Sequence, residues 1–296
     1  MGVETDTNPV EGLAEALETP YVTHIYNLQQ AVKFRQRAKE FSKGKAISTY
    51  PAGYVKCGGA PQKTNWLAED LWRRDGKRDD IDIHFYTPQN SLFPVVPVID
   101  EIVKPMMAER GIHNHYFTQL RAIDVSSRTA IFEENLPSGS KREIRQSYDF
   151  LHAMPHFRTP APVRNSFLTT EARRRQVEVD RETLCHRRFP NIFSLGDCAG
   201  TGAPKTAATV RKQAPTIVTN LIDRINEREF SAKYDGTSGC PLLTRYGRCM
   251  MFEFDFQGEL VNEWIYQSTK ETRLWWNFKV HGLKRLYLHA MMNGFV

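Results

Sequence analysis

The sequence predicts an α/β fold built on a parallel sheet, and three observations carry the prediction. Runs rich in β-branched and aromatic residues stand at 46–50 (AISTY), 81–86 (IDIHFY) and 112–117 (IHNHYF). Apolar residues at helical spacing fill 61–74 and roughly 96–110 between those runs. The order strand, helix, strand, helix, strand makes the strands parallel, because each helix returns the chain to the end of the sheet where it left.

Residues 1–42 read as a connecting segment and a helix, LQQAVKFRQRAKEF, with Leu28, Val32 and Phe41 among many charges. Residues 43–154 form the central nucleotide-binding-like βαβ domain, one half of a dinucleotide fold. Within it, LRAIDVSSRTAIFEE predicts a hairpin with Ser126 and Ser127 near its turn, and EIRQSYDFLHAMP a further pair of strands. The proline-rich PHFRTPAPVRN (155–165) leaves this unit as a loop, opening a segment 155–230 and a C-terminal segment 231–296.

Composition excludes several classes. At 296 residues, 41% hydrophobic and 25% charged, the chain has the make-up of a folded protein large enough for two packed units. A net charge of +6 suits anionic partners, yet no zinc-finger spacing, RNP-like signature or long basic run supports nucleic acid. Five cysteines without a CxxC pair are neither a secreted disulfide framework nor a zinc site. The start, MGVETDTNPVEG, has neither a signal-peptide core nor transit-peptide character, and Asp6 stands where a myristoylation signal needs Ser or Thr. No apolar run is long enough to span a bilayer.

VKCGGAPQK places Cys57 in a glycine turn between a strand and a helix, where a cofactor or substrate can approach the backbone. The same residue also reads as an ordinary buried cysteine packed as a small apolar group. A second informative stretch is FPNIFSLGDCAGTGAPKTAATVRKQAPTIVTNLIDRI (189–225). It predicts a short strand over Ile192–Leu195, then Gly196 and Asp197, then a long helix from about Pro204 or Lys205. In flavoproteins of the glutathione-reductase-like architecture such a Gly-Asp ends the strand that returns to the FAD domain, and the following helix N-terminus favours the anionic reduced ring. In KYDGTSGCPLLTRYGR, Cys240 lies in a turn rich in Gly and Ser.

VKCGGAPQK, LCHRRFPNIFSLGDC, PKTAATV and KYDGTSGCPLLTRYGR, in this order, resemble the eukaryotic-type sulfide:quinone oxidoreductases, which also occur in bacteria. The similarity runs from EGLAEALE to near the C-terminus. It implies a two-dinucleotide-binding-domain flavoprotein fold with FAD as cofactor. It further implies that Cys57 and Cys240 form a bridge, that sulfide attacks it to leave a persulfide on Cys240, and that the Cys57 thiolate released attacks the flavin ring. Electrons then pass to a quinone, and the extra sulfur to an acceptor such as glutathione. Cys185, Cys198 and Cys249 receive no such role. Gly196, Asp197, Lys205 and Lys63 match cofactor-side positions; a cation there would lower a thiol pKa and favour reduced flavin, although each lysine also reads as an exposed helix-start residue.

The last stretch, STKETRLWWNFKVHGLKRLYLHAMMNGFV, mixes Trp275, Trp276, Phe278, Leu283, Leu286 and Tyr287 with Lys279, Lys284 and Arg285. It reads either as a helix docked on the protein or as one lying in a membrane interface, and the resemblance favours the membrane, mitochondrial inner or bacterial inner, where quinone is found. No GxGxxG follows a strand, so the pyrophosphate-binding part of the flavin site is expected to be missing. Three readings follow: a truncated sulfide:quinone oxidoreductase; a non-catalytic remnant that binds a membrane or a partner; and, more weakly, a related disulfide flavoprotein such as a flavocytochrome sulfide dehydrogenase or a type 2 NADH dehydrogenase, the latter needing a nicotinamide-binding GxGxxG that YPAGYVKCGG is not.

Overall fold

The computed structural model describes residues 2–171, 175–267 and 269–294. Met1, Ala172 to Arg174, Ser268, Phe295 and Val296, which fall in stretches quoted above, lie outside the described residues. In chain order the first elements are β1 (Glu4–Asp6), α1 (Leu13–Ala16), β2 (Val22–Thr23), α2 (Leu28–Glu40), β3 (Gly44–Thr49), α3 (Ala60–Arg74), β4 (Ile81–Tyr86), α4 (Pro97–Glu109) and β5 (Ile112–His115). Then come β6 (Thr118–Asp124), β7 (Thr129–Asn135), β8 (Lys141–Ser147), β9 (Phe150–His152), β10 (His156–Arg158), α5 (Ala161–Arg164) and α6 (Ala207–Ile225). The chain closes with β11 (Ser238–Arg245), β12 (Arg248–Phe254), β13 (Leu260–Val261), α7 (Glu263–Tyr266), α8 (Arg273–Asn277) and α9 (Leu283–His289).

The chain divides into two units, one of residues 5–55 and 59–157, the other of residues 1–4, 56–58 and 158–296. The first holds a five-stranded sheet in the order β2-β9-β3-β4-β5, every neighbour parallel. The α/β order predicted from the apolar runs is borne out, with α3 and α4 as the returning helices. Proline in the first turn of each starts the helix where its missing N–H costs nothing. Trp66 and Trp72 of α3 are fully buried, and the Trp72 indole donates to Ala38 O of α2 at 2.7 Å. Leu13, Val22, Ile47, Phe132 and Leu151 meet in one apolar cluster.

The predicted hairpin forms as β6 and β7, with Asp124 accepting from the Ser126 and Ser127 amides at 3.0 and 3.1 Å in the turn. The expected second strand pair does not form. β8 joins β7 as the outer strand of an antiparallel sheet, whereas β9 returns to the parallel sheet beside β3. The reason lies in side chains: β8 is mostly charged and exposed, and β9 is buried throughout. Asp149 makes the crossing, its carboxylate accepting from the Lys45 N–H at 2.9 Å.

In the second unit, the stretch expected as a strand over Ile192–Leu195 is extended chain that makes a single bridge, Phe193 to Cys185. It ends in a 3₁₀ turn, Gly196–Cys198. α6 starts at Ala207 rather than at Pro204 or Lys205, because Thr206 caps it and its hydroxyl accepts from the Thr209 N–H at 3.1 Å. Gly196 has φ of +70°, and a Cβ there would lie 2.9 Å from Val210 Cγ2. β11, β12 and β13 make an antiparallel sheet. Among the described residues no helix is long and apolar enough to cross a membrane.

Two outcomes are expected from this packing. His152, on β9, is buried, its two ring nitrogens without a hydrogen-bond partner among the described residues, and its pKa is pushed down to about 3, by burial first and His24 second. The pKa of His24 is pushed down to about 4, by burial and then Lys33. Both rings stay neutral in the fold while the unfolded chain takes up protons near pH 6.5, so stability is complete above that pH and drains away as pH falls toward about 4. Urea midpoints measured across that range should fall steeply for the native chain and less steeply for His152→Leu; parallel curves would remove His152 from the account. Gly196→Ala should cost about 1–3 kcal/mol in urea unfolding, from the left-handed backbone and the Val210 contact together.

Candidate functional site

A cleft of about 540 Å³ opens in the second unit where the Gly-Asp turn meets the start of α6. Its walls include Lys56, Asp197, Cys198, Lys205, Thr206 and Val210. Three of the residues singled out in the sequence, Gly196, Asp197 and Lys205, line it together.

The turn is held from below by α6. Gln213 is fully buried and its Oε1 accepts from the Gly196 N–H at 2.8 Å. That bond sets the direction in which Asp197 leaves the turn. The Asp197 carboxylate, mostly buried, pairs with the Lys56 ammonium at 3.2 Å. Lys205 is buried, and its Nζ donates to Ala199 O at 2.6 Å. Burial pushes its pKa down to about 8, with Asp197 and Cys198 pulling the other way, so it is a cation that surrenders its proton far more readily than an exposed lysine. With the positive end of α6, the cleft presents two ammonium groups and a helix dipole against one carboxylate. An anion or an electron-rich ring edge is favoured there.

Cys57 stands beside this cleft. Its φ is +59°, a left-handed conformation that a non-glycine residue holds at a cost of about 1–3 kcal/mol. The Cys57 N–H donates to Lys205 O at 2.9 Å, and Lys56 forms a parallel bridge with Lys205, so the turn is stitched to the residue just before the helix cap. Cys240, expected in a turn, lies instead on β11, because Ser238–Leu243 pairs in register with β12 and sets Cys240 opposite Phe252. It is buried there, two residues after Ser238, whose Oγ lies 3.2 Å from Thr206 Oγ1 and 2.7 Å from Thr209 Oγ1. Cys57 is thus bonded to the residue before the α6 cap, and the strand that carries Cys240 meets that cap through Ser238. All five cysteines are thiols in this structure, so the bridge implied by the resemblance is not formed.

Lys63 is half-buried in the first turn of α3 and belongs to the other unit. Lys56, Gln213 and Ser238 were not read from the sequence as site residues. Lys56 had a signal, a cation adjacent to a turn thiol. Gln213 and Ser238 had none, since a glutamine inside a helix and a serine in a Gly-rich turn are commonplace until the fold brings them to the site. The C-terminal helices carry exposed Trp264, Leu274, Tyr287 and Leu288 beside Lys284 and Arg285.

No protein-family model matches the chain. Curated proteins do. The mitochondrial sulfide:quinone oxidoreductase of Schizosaccharomyces pombe is 38% identical over 87% of this chain and 56% of its own length. Its Dictyostelium discoideum counterpart is 34% identical over 99% of the chain and 64% of its own length, and the Mus musculus one 30% identical over 100% and 64%. The chain thus spans between 56% and 64% of the length of these relatives. Among solved structures, the sulfide:quinone oxidoreductase of Aquifex aeolicus superposes with a TM-score of 0.76 over 99% of this chain and 68% of that one, at 18% identity. A chain in the Tetrahymena thermophila mitochondrial ATP synthase structure gives 0.78 over 96% and 70%, at 20% identity. These two show a shared α/β fold, and over nearly its whole length this chain is similar in sequence to these mitochondrial sulfide:quinone oxidoreductases.

Proposed function

We propose that this chain carries the thiol half of a sulfide:quinone oxidoreductase, with Cys57 and Cys240 as its redox pair. The observation that carries the reading is that Cys57 is bonded to Lys205 and that Ser238, two residues before Cys240 on the same strand, meets Thr206 and Thr209 at the start of α6, beside a cleft containing Asp197 and Lys205.

The residues present suit the flavin end of FAD. Gly196 leaves no Cβ in the turn, Gln213 Nε2 is buried with no hydrogen-bond partner among the described residues, and α6 points its positive end at the cleft. Asp197 would take a sugar hydroxyl, and Lys205 with the helix end would favour a reduced, anionic ring. Bound flavin supplies the acceptor for two electrons. No Gly-rich strand-to-helix turn of the GxGxxG type is present in the sequence for its pyrophosphate.

The protein steps balance on sulfur alone. Hydrosulfide attacks the Cys240 sulfur of a Cys57–Cys240 disulfide; an S–S bond forms as another breaks, leaving a persulfide on Cys240 and a thiolate on Cys57. An acceptor thiol such as glutathione then takes the outer sulfur, and return of the two thiols to the disulfide releases two electrons toward quinone. The exposed aromatic and basic face of the C-terminal helices supports a seat in a membrane interface, where a lipid-soluble quinone is met.

The test is the visible spectrum of the chain mixed with FAD, before and after sulfide, followed by sulfide-dependent quinone reduction. Native chain should bleach bound flavin; Cys57→Ser and Cys240→Ser should each lower the rate by roughly 10³-fold or more, while Cys249→Ser, altering a fully buried thiol on β12, should be nearly silent. Equal rates in all three variants, or no sulfide response in the native chain, would overturn the reading.

A further inference from the structure

The first unit carries a second cluster of reactive side chains, and it plays no part in the function proposed above. Asp82, His84 and Tyr86 alternate along one face of β4, and His113 and His115 along the same face of the edge strand β5. His84 Nδ1 lies 2.9 Å from His115 Nε2, and His84 Nε2 lies 2.8 Å from Asp82 Oδ2. The His84 and His115 rings are nearly parallel at 5.2 Å, and Tyr86 stacks on His115 at 4.1 Å. His113 sits at the rim, 63% exposed, with its Nε2 3.6 Å from Asp82 Oδ1. Lys45 pairs with Asp82 at 3.5 Å on the adjoining strand.

A carboxylate can only accept, so His84 donates through Nε2 and its Nδ1 carries a lone pair, toward which His115 Nε2 donates. Two imidazoles that share one proton at this spacing are one tautomer shift from presenting two lone pairs. We propose that His84 and His115 form a binding site for a transition-metal dication of borderline softness, zinc-like, with Asp82 as the outer carboxylate that orients His84. Metal–imidazole bonds of about 2.0–2.1 Å at a tetrahedral angle need the two nitrogens roughly 3.3 Å apart, a widening of a few tenths of an ångström. The proton on His115 moves from Nε2 to Nδ1, so a neutral pair binds the ion with no net proton release. The histidine–carboxylate contact is the arrangement that fixes tautomer and ring orientation at metal sites generally.

Among the described residues no three His, Cys, Asp or Glu side chains already converge as a ligand set. The site is accordingly an open one, two imidazoles completed by solvent, that ties the edge strand β5 to β4.

Cobalt(II) is the probe, because its visible bands report coordination and a thiolate ligand adds a separate near-ultraviolet band. Native chain, kept reduced, should bind one Co²⁺ without the thiolate band, and Zn²⁺ should displace it. His84→Gln and His115→Gln should abolish binding. Asp82→Asn, at a half-exposed carboxylate where folding is safe, should weaken it about 10–100-fold. His289→Gln, at an exposed C-terminal histidine, should change nothing. Unchanged binding in the three cluster variants, or a thiolate band that vanishes with cysteine substitution, would overturn the assignment, and neither result bears on sulfide turnover.

Discussion

The hydrogen bond from the Gly196 N–H to the buried Gln213 side chain is the contact on which the cleft depends. It belongs to a wider pattern, because α6 buries polar residues: Thr209, Gln213, Thr216, Asn220 and Asp223. Asn220 bonds Thr183 O and the Ala232 backbone, and Asp223 takes the Ser231 amide and hydroxyl. The loops around it have little regular structure, so their backbone groups must find partners elsewhere, and α6 supplies them. Leaving such a buried group unmet costs about 1–3 kcal/mol, enough to define where each loop runs.

The opposite face of α6 is apolar and exposed, with Val218, Leu221, Ile222 and Ile225 on one stripe. Ile217, at the edge of that stripe, also lines the cleft. An ordinary amphipathic helix has the reverse arrangement. Helix polarity here serves the loops and the site at its N-terminus, and the burial of apolar area that stabilises the unit comes from other elements such as β11 and β12.

The two cysteines of the proposed pair are presented by two different devices. Cys57 is presented by a strained left-handed turn next to glycine, which frees the backbone to meet Lys205 O. Cys240 is presented by a regular strand, anchored by the Ser238 contacts to the helix cap. One sulfur is half-buried and the other buried, which suits a pair in which one partner faces an acceptor and the other holds sulfur away from water.

Much of this was legible from sequence. The strands at Gly44–Thr49 and Ile81–Tyr86 declared themselves by composition, and α3 and α4 by spacing and by proline at their starts. Gly196, Asp197, Lys205, Cys57 and Cys240 stood out because their residue types are unusual in those contexts, although the turn expected around Cys240 is strand. The strand expected over Ile192–Leu195 and the strand pair around Tyr148 failed for the same reason: whether a short apolar run joins a sheet depends on which edge is open to it, and local pattern is silent on that. Sequence by itself determined the parallel α/β unit, the helix starts and the chemical types at the cleft, all set by contacts a few residues apart. Only the tertiary structure decided that Gln213 holds Gly196, that Lys56 pairs with Asp197, that Cys57 meets Lys205 and Ser238 meets Thr206, and that His84 meets His115. Those are meetings between residues distant in the chain, selected by the packing of whole elements.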